Sequence, residues 1–212
     1  MARPAKPTAL PETVVRTRRA YFDCRFGQLH VRTAFPTTGG FDEQVTLFCL
    51  HANGKSSRTF AAFLPLIADE RSVYAPDLPG SGESDPAPDS SVRDAASAVA
   101  DLAADLRLRQ IDLLGFQDGS RVAVELALAQ PELVRHLVLI GLGDDDRLGR
   151  LSQPCLVWSI GDEHAAATRA NQALLKNVSF VDAPEYAADL FDTAPQLLAR
   201  QFAAFLDRKK LL

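Results

Sequence analysis

Residue 117 stands where a catalytic turn would place its nucleophile, but its side chain cannot act as one. Residues 110–131 comprise a short apolar strand, a glycine turn and an amphipathic helix, which is the setting that a nucleophile elbow of the form Gly-x-nucleophile-x-Gly requires. Gly115 and Gly119 occupy the two small-residue positions, and Gln117 stands between them. A primary amide is not deprotonated near neutral pH, so Gln117 cannot replace a serine, cysteine or aspartate nucleophile. The sequence therefore predicts the backbone of an elbow without its usual chemistry.

The elements that must position this turn alternate between strand and helix. Apolar runs of strand length recur along the chain, and segments with apolar residues at helical spacing separate them. The predicted strands are 21–26, 28–35, 45–50, 72–75, 111–114, 137–140, 155–160 and 178–182. The predicted helices are 57–69, 91–106 with Ser91 as its cap, 120–129, 165–175 and 195–206.

This alternation predicts an α/β fold, a doubly wound, mostly parallel sheet of eight strands with helices on both faces. The strand runs lack polar alternation, as expected for strands that are buried on both sides. Binding sites in such sheets form at the carboxyl ends of the strands. We therefore expect Gln117 to lie beside the loops that follow Leu50 and Ile160.

Composition is typical of a soluble globular protein. The chain has 212 residues, of which 47% are hydrophobic and 24% charged, and these values are ordinary for one domain. The net charge of −4 argues against a nucleic-acid partner, and no apolar run reaches the ~18–20 residues of a membrane helix. Residues 1–20 are basic, contain several prolines and lack the apolar segment of a secretory signal. We predict a flexible arm at 1–20 and a single domain at 21–212.

The cysteines and acidic runs indicate neither a metal nor a cofactor. Cys24, Cys49 and Cys155 are scattered, so they form no disulfide framework and no zinc motif, and they favour a reducing, cytoplasmic location. The consecutive carboxylates at 144–146 are expected to point apart into solvent rather than hold a cation. We predict no metal and no cofactor.

Four sequence blocks resemble those of the α/β-hydrolase superfamily. Residues 50–54, Leu-His-Ala-Asn-Gly, resemble the turn after the third strand, and residues 74–85 resemble the family's A-P-D-x-x-G-x-G-x-S-D segment. The elbow at 115–119 is the third block, and residues 154–161 resemble the strand before the acid loop. The resemblance covers about residues 20–206 and implies the α/β-hydrolase fold.

The resemblance also implies three catalytic positions, and none carries the expected residue. The nucleophile position is Gln117. The acid position, three residues after Gly161, is His164, and the histidine position, seven residues before Pro195, is Ala188. A serine nucleophile needs an imidazole to take its proton, and the imidazole needs a carboxylate to orient it. We expect none of the three positions to be catalytically competent.

Other residues near these positions are candidates for supporting roles. Asp162 and Glu163 adjoin the acid position, so a small shift of the loop would bring in a carboxylate. The backbone N–H groups of Asn53 and Asp118 are at the positions of the oxyanion hole, and they are predicted to bind an anion or a carbonyl group unless they are inherited turn geometry alone. His51 matches a turn position that is structural in the family.

The connection between the sixth and seventh strands is too short for a cap domain. Only residues 141–153 separate Ile140 from Pro154, so the crevice is expected to be open or covered by another subunit, either a second copy or a partner protein.

Three functions remain compatible with these features. The one we expect is a catalytically degenerate member of the fold that binds a small molecule or a protein. The second is an active esterase on small esters, which would use Asp118, His164 or a water oriented by Gln117. The third is a structural or interaction subunit, which the missing cap favours.

Overall fold

The structure is a computed structural model that describes residue 15 and residues 17–37 and 44–207. Its strands are β1 (Thr17–Cys24), β2 (Gly27–Ala34), β3 (Leu47–Leu50), β4 (Val73–Pro76), β5 (Ile111–Phe116), β6 (Val134–Ile140), β7 (Cys155–Ile160) and β8 (Val178–Ala183). Its helices are α1 (Leu64–Ile67), α2 (Val92–Asp105), α3 (Asp118–Ala129), α4 (Ala165–Asn171), α5 (Leu190–Thr193) and α6 (Pro195–Leu206). Short 3-10 turns occur at Ser57–Phe60 and Asp146–Arg150.

The strands form one sheet in the order β1-β2-β4-β3-β5-β6-β7-β8. β2 pairs antiparallel with β1 and β4, and the remaining neighbours are parallel. The chain runs outward from β3 to β4 and then crosses to β5 on the other side of β3, so the strand order reverses between β3 and β5. Such a reversal opens a crevice at the carboxyl ends of the two strands. The predicted mostly parallel sheet of eight strands is confirmed.

Alternate residues of the central strands supply two apolar cores, one on each face of the sheet. In β3, Phe48 and Leu50 pack into the core that contains α2 and α3. Leu47 and Cys49 of the same strand pack into the core that contains α1, α5 and α6. All four residues of β3 are buried, which explains why the strand shows no polar alternation. The predicted helices on both faces are confirmed.

The helix predicted to begin after Ser91 does so through a capping box. The Ser91 hydroxyl accepts a hydrogen bond from the Asp94 amide at 3.1 Å, and the Asp94 carboxylate accepts one from the Ser91 amide at 3.4 Å. These two bonds satisfy N–H groups that the first turn of a helix leaves unpaired. The helix then ends at Asp105.

The structure departs most from the predicted elements at β1, at the predicted helix 57–69 and at α5. β1 begins at Thr17, so residues 17–20 of the predicted arm are strand, paired with the end of β2; residues 1–14 and 16 lie outside the described residues. The predicted helix 57–69 is split into the Ser57–Phe60 turn and α1. Pro65 in the first turn of α1 explains the split, because proline lacks an N–H and disfavours a helical residue before it. The short helix α5 has no counterpart in the sequence prediction.

The connection between β6 and β7 holds only the 3-10 turn at Asp146–Arg150, so no cap domain is inserted there. None of the helices that the structure describes combines the length and apolarity needed to cross a bilayer. Across the same described ranges, no cluster of three or more His, Cys, Asp or Glu residues has the arrangement of a metal site.

Candidate functional site

Gln117 occupies a strained backbone turn between β5 and α3. Its φ of +50° and ψ of −114° lie in a region that side-chain-bearing residues rarely adopt, at a cost of about 1–3 kcal/mol. Two backbone hydrogen bonds hold the turn: the Gln117 amide donates to the Ile140 carbonyl at 2.7 Å, and the Gln117 carbonyl accepts from the Ser120 amide at 2.8 Å. This backbone conformation places the Gln117 side chain at the position of an elbow nucleophile.

The two glycines of the elbow are required by close backbone contacts. A Cβ at Gly119 would lie 2.1 Å from the Leu50 carbonyl oxygen, and a Cβ at Gly115 would lie 2.4 Å from the Ser120 Cα. Neither neighbour is a flexible side chain, so neither can move aside cheaply. The small-residue positions that the sequence predicts are therefore explained by the packing of α3 against the ends of β3 and β5.

Ser120 is a structural residue of the turn and is not a nucleophile. It is fully buried, and its hydroxyl donates to the Gly115 carbonyl at 2.8 Å and accepts from the Ile140 amide at 3.2 Å. The hydroxyl thus joins the carboxyl ends of β5 and β6 to the first turn of α3.

The Gln117 side chain forms a hydrogen bond with Asp162, which lies in the loop after β7. Gln117 Nε2 donates to Asp162 Oδ2 at 3.0 Å, and Asp162 Oδ1 accepts from the His164 amide at 3.0 Å. Gly141, with a φ of +62°, packs against the pair, since a Cβ there would lie 2.6 Å from Asp162 Oδ2 and 3.1 Å from Gln117 Cγ. The carboxylate that faces the nucleophile position is therefore Asp162, one of the two candidates adjacent to the expected acid position.

The other two predicted triad positions make no hydrogen bond to Gln117. His164 precedes α4, and its Nε2 lies 3.7 Å from Glu163 Oε1. The Glu163 side chain is 85% exposed. A Cβ at Gly143 would lie 3.4 Å from His164 Nδ1, so the ring packs against that glycine. Ala188 is exposed in the loop between β8 and α5 and has no group that can transfer a proton.

One of the two predicted oxyanion-hole donors already has an acceptor. The Asn53 amide donates to Asp118 Oδ2 at 3.1 Å, so a carboxylate occupies the place where an incoming oxyanion would bind. A negative charge at this position disfavours a second anion. The oxyanion hole formed by Asn53 and Asp118 stays a prediction.

His51 holds the loop after β3 against the loop after β4. Its Nδ1 lies 2.8 Å from the Ala52 carbonyl oxygen, and its Nε2 lies 2.9 Å from the Leu78 amide nitrogen. The ring must therefore donate from Nδ1 and accept at Nε2, which is the neutral form. Burial lowers the pKa of His51 below its ordinary value of 6.5, and the Ala52 carbonyl and the charge of Asp77 offset only part of this. The structural role expected for His51 agrees with these contacts.

The lowered pKa makes the neutral form of His51 a source of stability that is lost in acid. Between the folded pKa and 6.5 the unfolded chain binds more protons at this residue, so the free energy of unfolding decreases as the pH falls below about 6.5. Urea denaturation from pH 7.5 to pH 5 is expected to show this slope in the wild type and a shallower slope in His51→Gln. Equal slopes in the two proteins would contradict this role for His51.

A buried His30–Asp77 pair lies on the same edge of the sheet and was missed by the sequence analysis. His30 lies in the predicted strand 28–35; it is 2% exposed, and its Nδ1 lies 2.9 Å from Asp77 Oδ2. Burial favours a raised pKa for Asp77, but hydrogen bonds from Ser57, Glu83 and His30 outweigh burial and hold its pKa below the ordinary 3.8. The two residues are 47 positions apart in the sequence, so no local sequence motif could predict that they pair.

Comparison with known proteins agrees with this architecture. The sequence model described as alpha/beta hydrolase fold matches residues 45–208. An uncharacterized protein of Mycobacterium tuberculosis is 31% identical over 142 residues, which are 66% of this chain and 38% of that protein. The 2-hydroxy-6-oxononadienedioate/2-hydroxy-6-oxononatrienedioate hydrolase 2 of Pseudomonas putida is 30% identical over 176 residues, 80% of this chain and 61% of the hydrolase. This chain thus spans less than two thirds of the length of either relative.

Solved structures show the same fold at low sequence identity. Carboxylesterase CesB of Bacillus subtilis superposes with a TM-score of 0.80 at 16% identity, over 91% of this chain and 92% of the esterase. The haloalkane dehalogenase DbeA-M1 loop variant of Bradyrhizobium elkanii gives a TM-score of 0.74 at 16% identity, over 90% of this chain and 96% of the dehalogenase. Together with the sequence match over residues 45–208, the eight-stranded sheet and its strained elbow show that this chain belongs to the α/β-hydrolase fold family.

Proposed function

We propose that this chain binds a small molecule at the carboxyl edge of its sheet and does not hydrolyse it through a catalytic triad. The observation that carries the proposal is the hydrogen bond of 3.0 Å from Gln117 Nε2 to Asp162 Oδ2. In a triad, an imidazole lies between the nucleophile and the carboxylate and transfers the proton. Here the longer amide side chain reaches the carboxylate directly, and an amide neither attacks a carbonyl nor shuttles a proton at neutral pH.

The charges around the elbow support the same conclusion. The carboxylate of Asp118, the residue after Gln117, accepts from the backbone N–H of Asn53, and the carboxylate of Asp162 accepts from the side-chain amide of Gln117. The tetrahedral intermediate of ester hydrolysis is an oxyanion that needs free N–H donors. Two nearby negative charges and an occupied Asn53 donor oppose its formation.

A cavity at the loop after β3, on the same edge of the sheet as the elbow, supports the binding half of the proposal. It has a volume of about 480 Å³ and extends from the loop after β3 to Asp192 at α5. Its lining residues include Gly54, Lys55 and Thr59, directly after Asn53 in the chain. Without a cap over this edge, a small ligand enters directly, and a second copy or another protein that covers the edge stays a prediction.

The main rival proposal is hydrolysis by unconventional residues. The Pseudomonas putida relative is named a hydrolase, and on this chain a water oriented by Gln117 could be activated by the neighbouring Asp162 carboxylate as general base. This rival requires that activity depend on Gln117 and Asp162, whereas the binding proposal requires no turnover at all.

A panel of short-chain esters and lactones, followed by both melting temperature and product release, tests the proposal. We expect at least one compound to raise the melting temperature in a saturable way, since a ligand that binds only the folded state stabilises it, and we expect no product. Lys55→Ala, in the cavity lining, should weaken that response, and Arg169→Ala, in an exposed pair with Asp182, should not. Turnover that disappears in Gln117→Ala, Asp162→Asn or His164→Ala would overturn the proposal in favour of the hydrolase.

A further inference from the structure

A second cavity on the same edge of the sheet is lined by polar groups that have no partner in the protein. Its volume is about 280 Å³, and it lies among β2, the end of β4 and the loop after β3. Its polar and charged lining comprises His30, Arg32, Ser56, Ser57, Arg58, Asp77 and Glu83, and the Glu83 carboxylate is itself bonded to the Tyr21 hydroxyl at 2.7 Å. Gln117, Asp118 and Asp162 are not among its lining residues. The cavity is therefore separate from the elbow.

Three of the lining side chains each carry a buried polar atom without a hydrogen-bond partner: His30 Nε2, Arg32 Nε and Ser57 Oγ. His30 is 2% exposed and Ser57 is 1% exposed. Leaving a buried polar atom unpaired costs about 1–3 kcal/mol, so such atoms are rare in native proteins and call for an explanation. Three such atoms around one cavity indicate that a molecule occupying the cavity supplies their partners.

Asp77 fixes the orientation of the His30 imidazole in the cavity. Asp77 Oδ2 lies 2.9 Å from His30 Nδ1 and accepts the Glu83 amide at 3.0 Å, and Asp77 Oδ1 accepts the Ser57 amide at 2.6 Å. Both carboxylate oxygens are thus occupied, so Asp77 does not itself take a ligand. It orients the ring so that Nδ1 faces the carboxylate and Nε2 is left unpaired in the cavity.

We propose that this cavity binds a small oxyanion, the carboxylate or phosphate group of a small molecule. Arg32 Nε–H and the Ser57 hydroxyl are hydrogen-bond donors that suit anionic oxygens, and the unpartnered Nε2 of His30 lines the same cavity. The exposed guanidinium of Arg58 adds a positive charge to the lining, and neither Arg32 nor Arg58 forms an ion pair with any residue that the structure describes. The site does not rest on the elbow, so it stands whether or not the chain hydrolyses esters.

The melting temperature of the full chain in phosphate, acetate and chloride, at equal ionic strength, tests this site. Phosphate or acetate should raise the melting temperature in a saturable way, and chloride should not. A response to acetate alone would identify a carboxylate, and a response to phosphate alone a phosphate group. An identical response to all three salts would overturn the proposal, because the cavity would then hold water only.

Ser57→Ala is the most informative variant, because it removes the hydroxyl that lines the cavity and keeps the backbone amide that bonds to Asp77. It should remain folded in chloride and weaken anion binding by roughly 10-fold, as expected for the loss of a hydrogen bond to a charged group. Arg32→Met keeps the aliphatic stem and should weaken binding at least as much. Arg169→Ala, an exposed residue outside the cavity, is the matched control and should bind like the wild type.

Imidazole resonances of the wild-type protein give a readout that needs no variant. The chain has four histidines, and only His30 lines the cavity. Titration with the effective anion should shift the His30 signals and saturate at the concentration seen in the melting experiment, with His136 unchanged. Unchanged His30 signals, or full anion affinity in both Ser57→Ala and Arg32→Met, would place the anion elsewhere and overturn the proposal.

Discussion

Gly119→Ala is expected to destabilise the protein by about 3 kcal/mol or more, because the new methyl group would overpack a rigid contact. The added Cβ would lie 2.1 Å from the carbonyl oxygen of Leu50 and 2.6 Å from its carbonyl carbon. Both atoms belong to the backbone of β3, which is buried on both faces, so relief requires that α3 move away from the sheet. Such a movement would also displace Gln117, which precedes α3 directly. Urea denaturation measures the effect.

Gly54→Ala is the matched control for this substitution. Gly54 has a φ of +68°, and a Cβ there would meet no atom within 4 Å. Only the backbone preference is lost, which costs about 1–2 kcal/mol for a residue in the left-handed region. If Gly119→Ala were no more destabilising than Gly54→Ala, the close packing of α3 on β3 would be wrong.

Asp112→Ala is expected to cost about 3–5 kcal/mol, because it removes the buried carboxylate that pairs with Arg135 and compensates part of the buried charge of Arg71. Asp112 is fully buried, and Arg135 binds both its carboxylate oxygens, at 2.9 and 2.6 Å. Arg71, which is 2% exposed, lies 3.6 Å from Asp112 Oδ2 and also pairs with Asp207. This cluster joins β5 to β6 and to the end of α6, at the opposite end of β5 from the elbow.

Two further variants show whether the stability lost in Asp112→Ala comes from an unbalanced buried charge or from lost packing. Arg71→Met combined with Asp112→Ala should recover part of the loss, because the buried guanidinium that has lost one of its two carboxylate partners is then absent. Arg169→Ala breaks an exposed ion pair of 3.0 Å with Asp182 and should cost at most about 1 kcal/mol. An Asp112→Ala protein as stable as Arg169→Ala would contradict the importance of the cluster.

The sequence predicts the elbow well because its requirements are local. A strand, two glycines at fixed spacing and a helix determine where Gln117 lies, and each of these can be read from neighbouring residues. The same holds for the cap of α2, where Ser91 and Asp94 are three positions apart. The mostly parallel, doubly wound sheet, though not the order of its strands, follows from the alternation of strands and helices together with the rules for crossovers.

The parts that sequence reasoning missed depend on contacts between distant segments or on the path of one loop. The spacing rule placed His164 at the acid position, but the tight turn after β7, in which the Asp162 amide bonds to the Ile160 carbonyl at 2.9 Å, brings Asp162 to Gln117 instead. Likewise, no sequence pattern shows that the Asp118 side chain reaches the Asn53 amide. Such contacts are decided by side-chain rotamers and loop geometry, which spacing alone does not determine.

The measurement that tests most directly whether the elbow is inactive is the rate of p-nitrophenyl acetate hydrolysis as a function of protein concentration. Wild type and Gln117→Ala are measured side by side, with circular dichroism to show that both are folded. Since Gln117 performs no chemical step, the two proteins should give the same slope. A wild-type slope at least about tenfold larger than that of Gln117→Ala, equivalent to about 1.4 kcal/mol of transition-state stabilisation, would show that Gln117 takes part in catalysis and that the chain is a hydrolase.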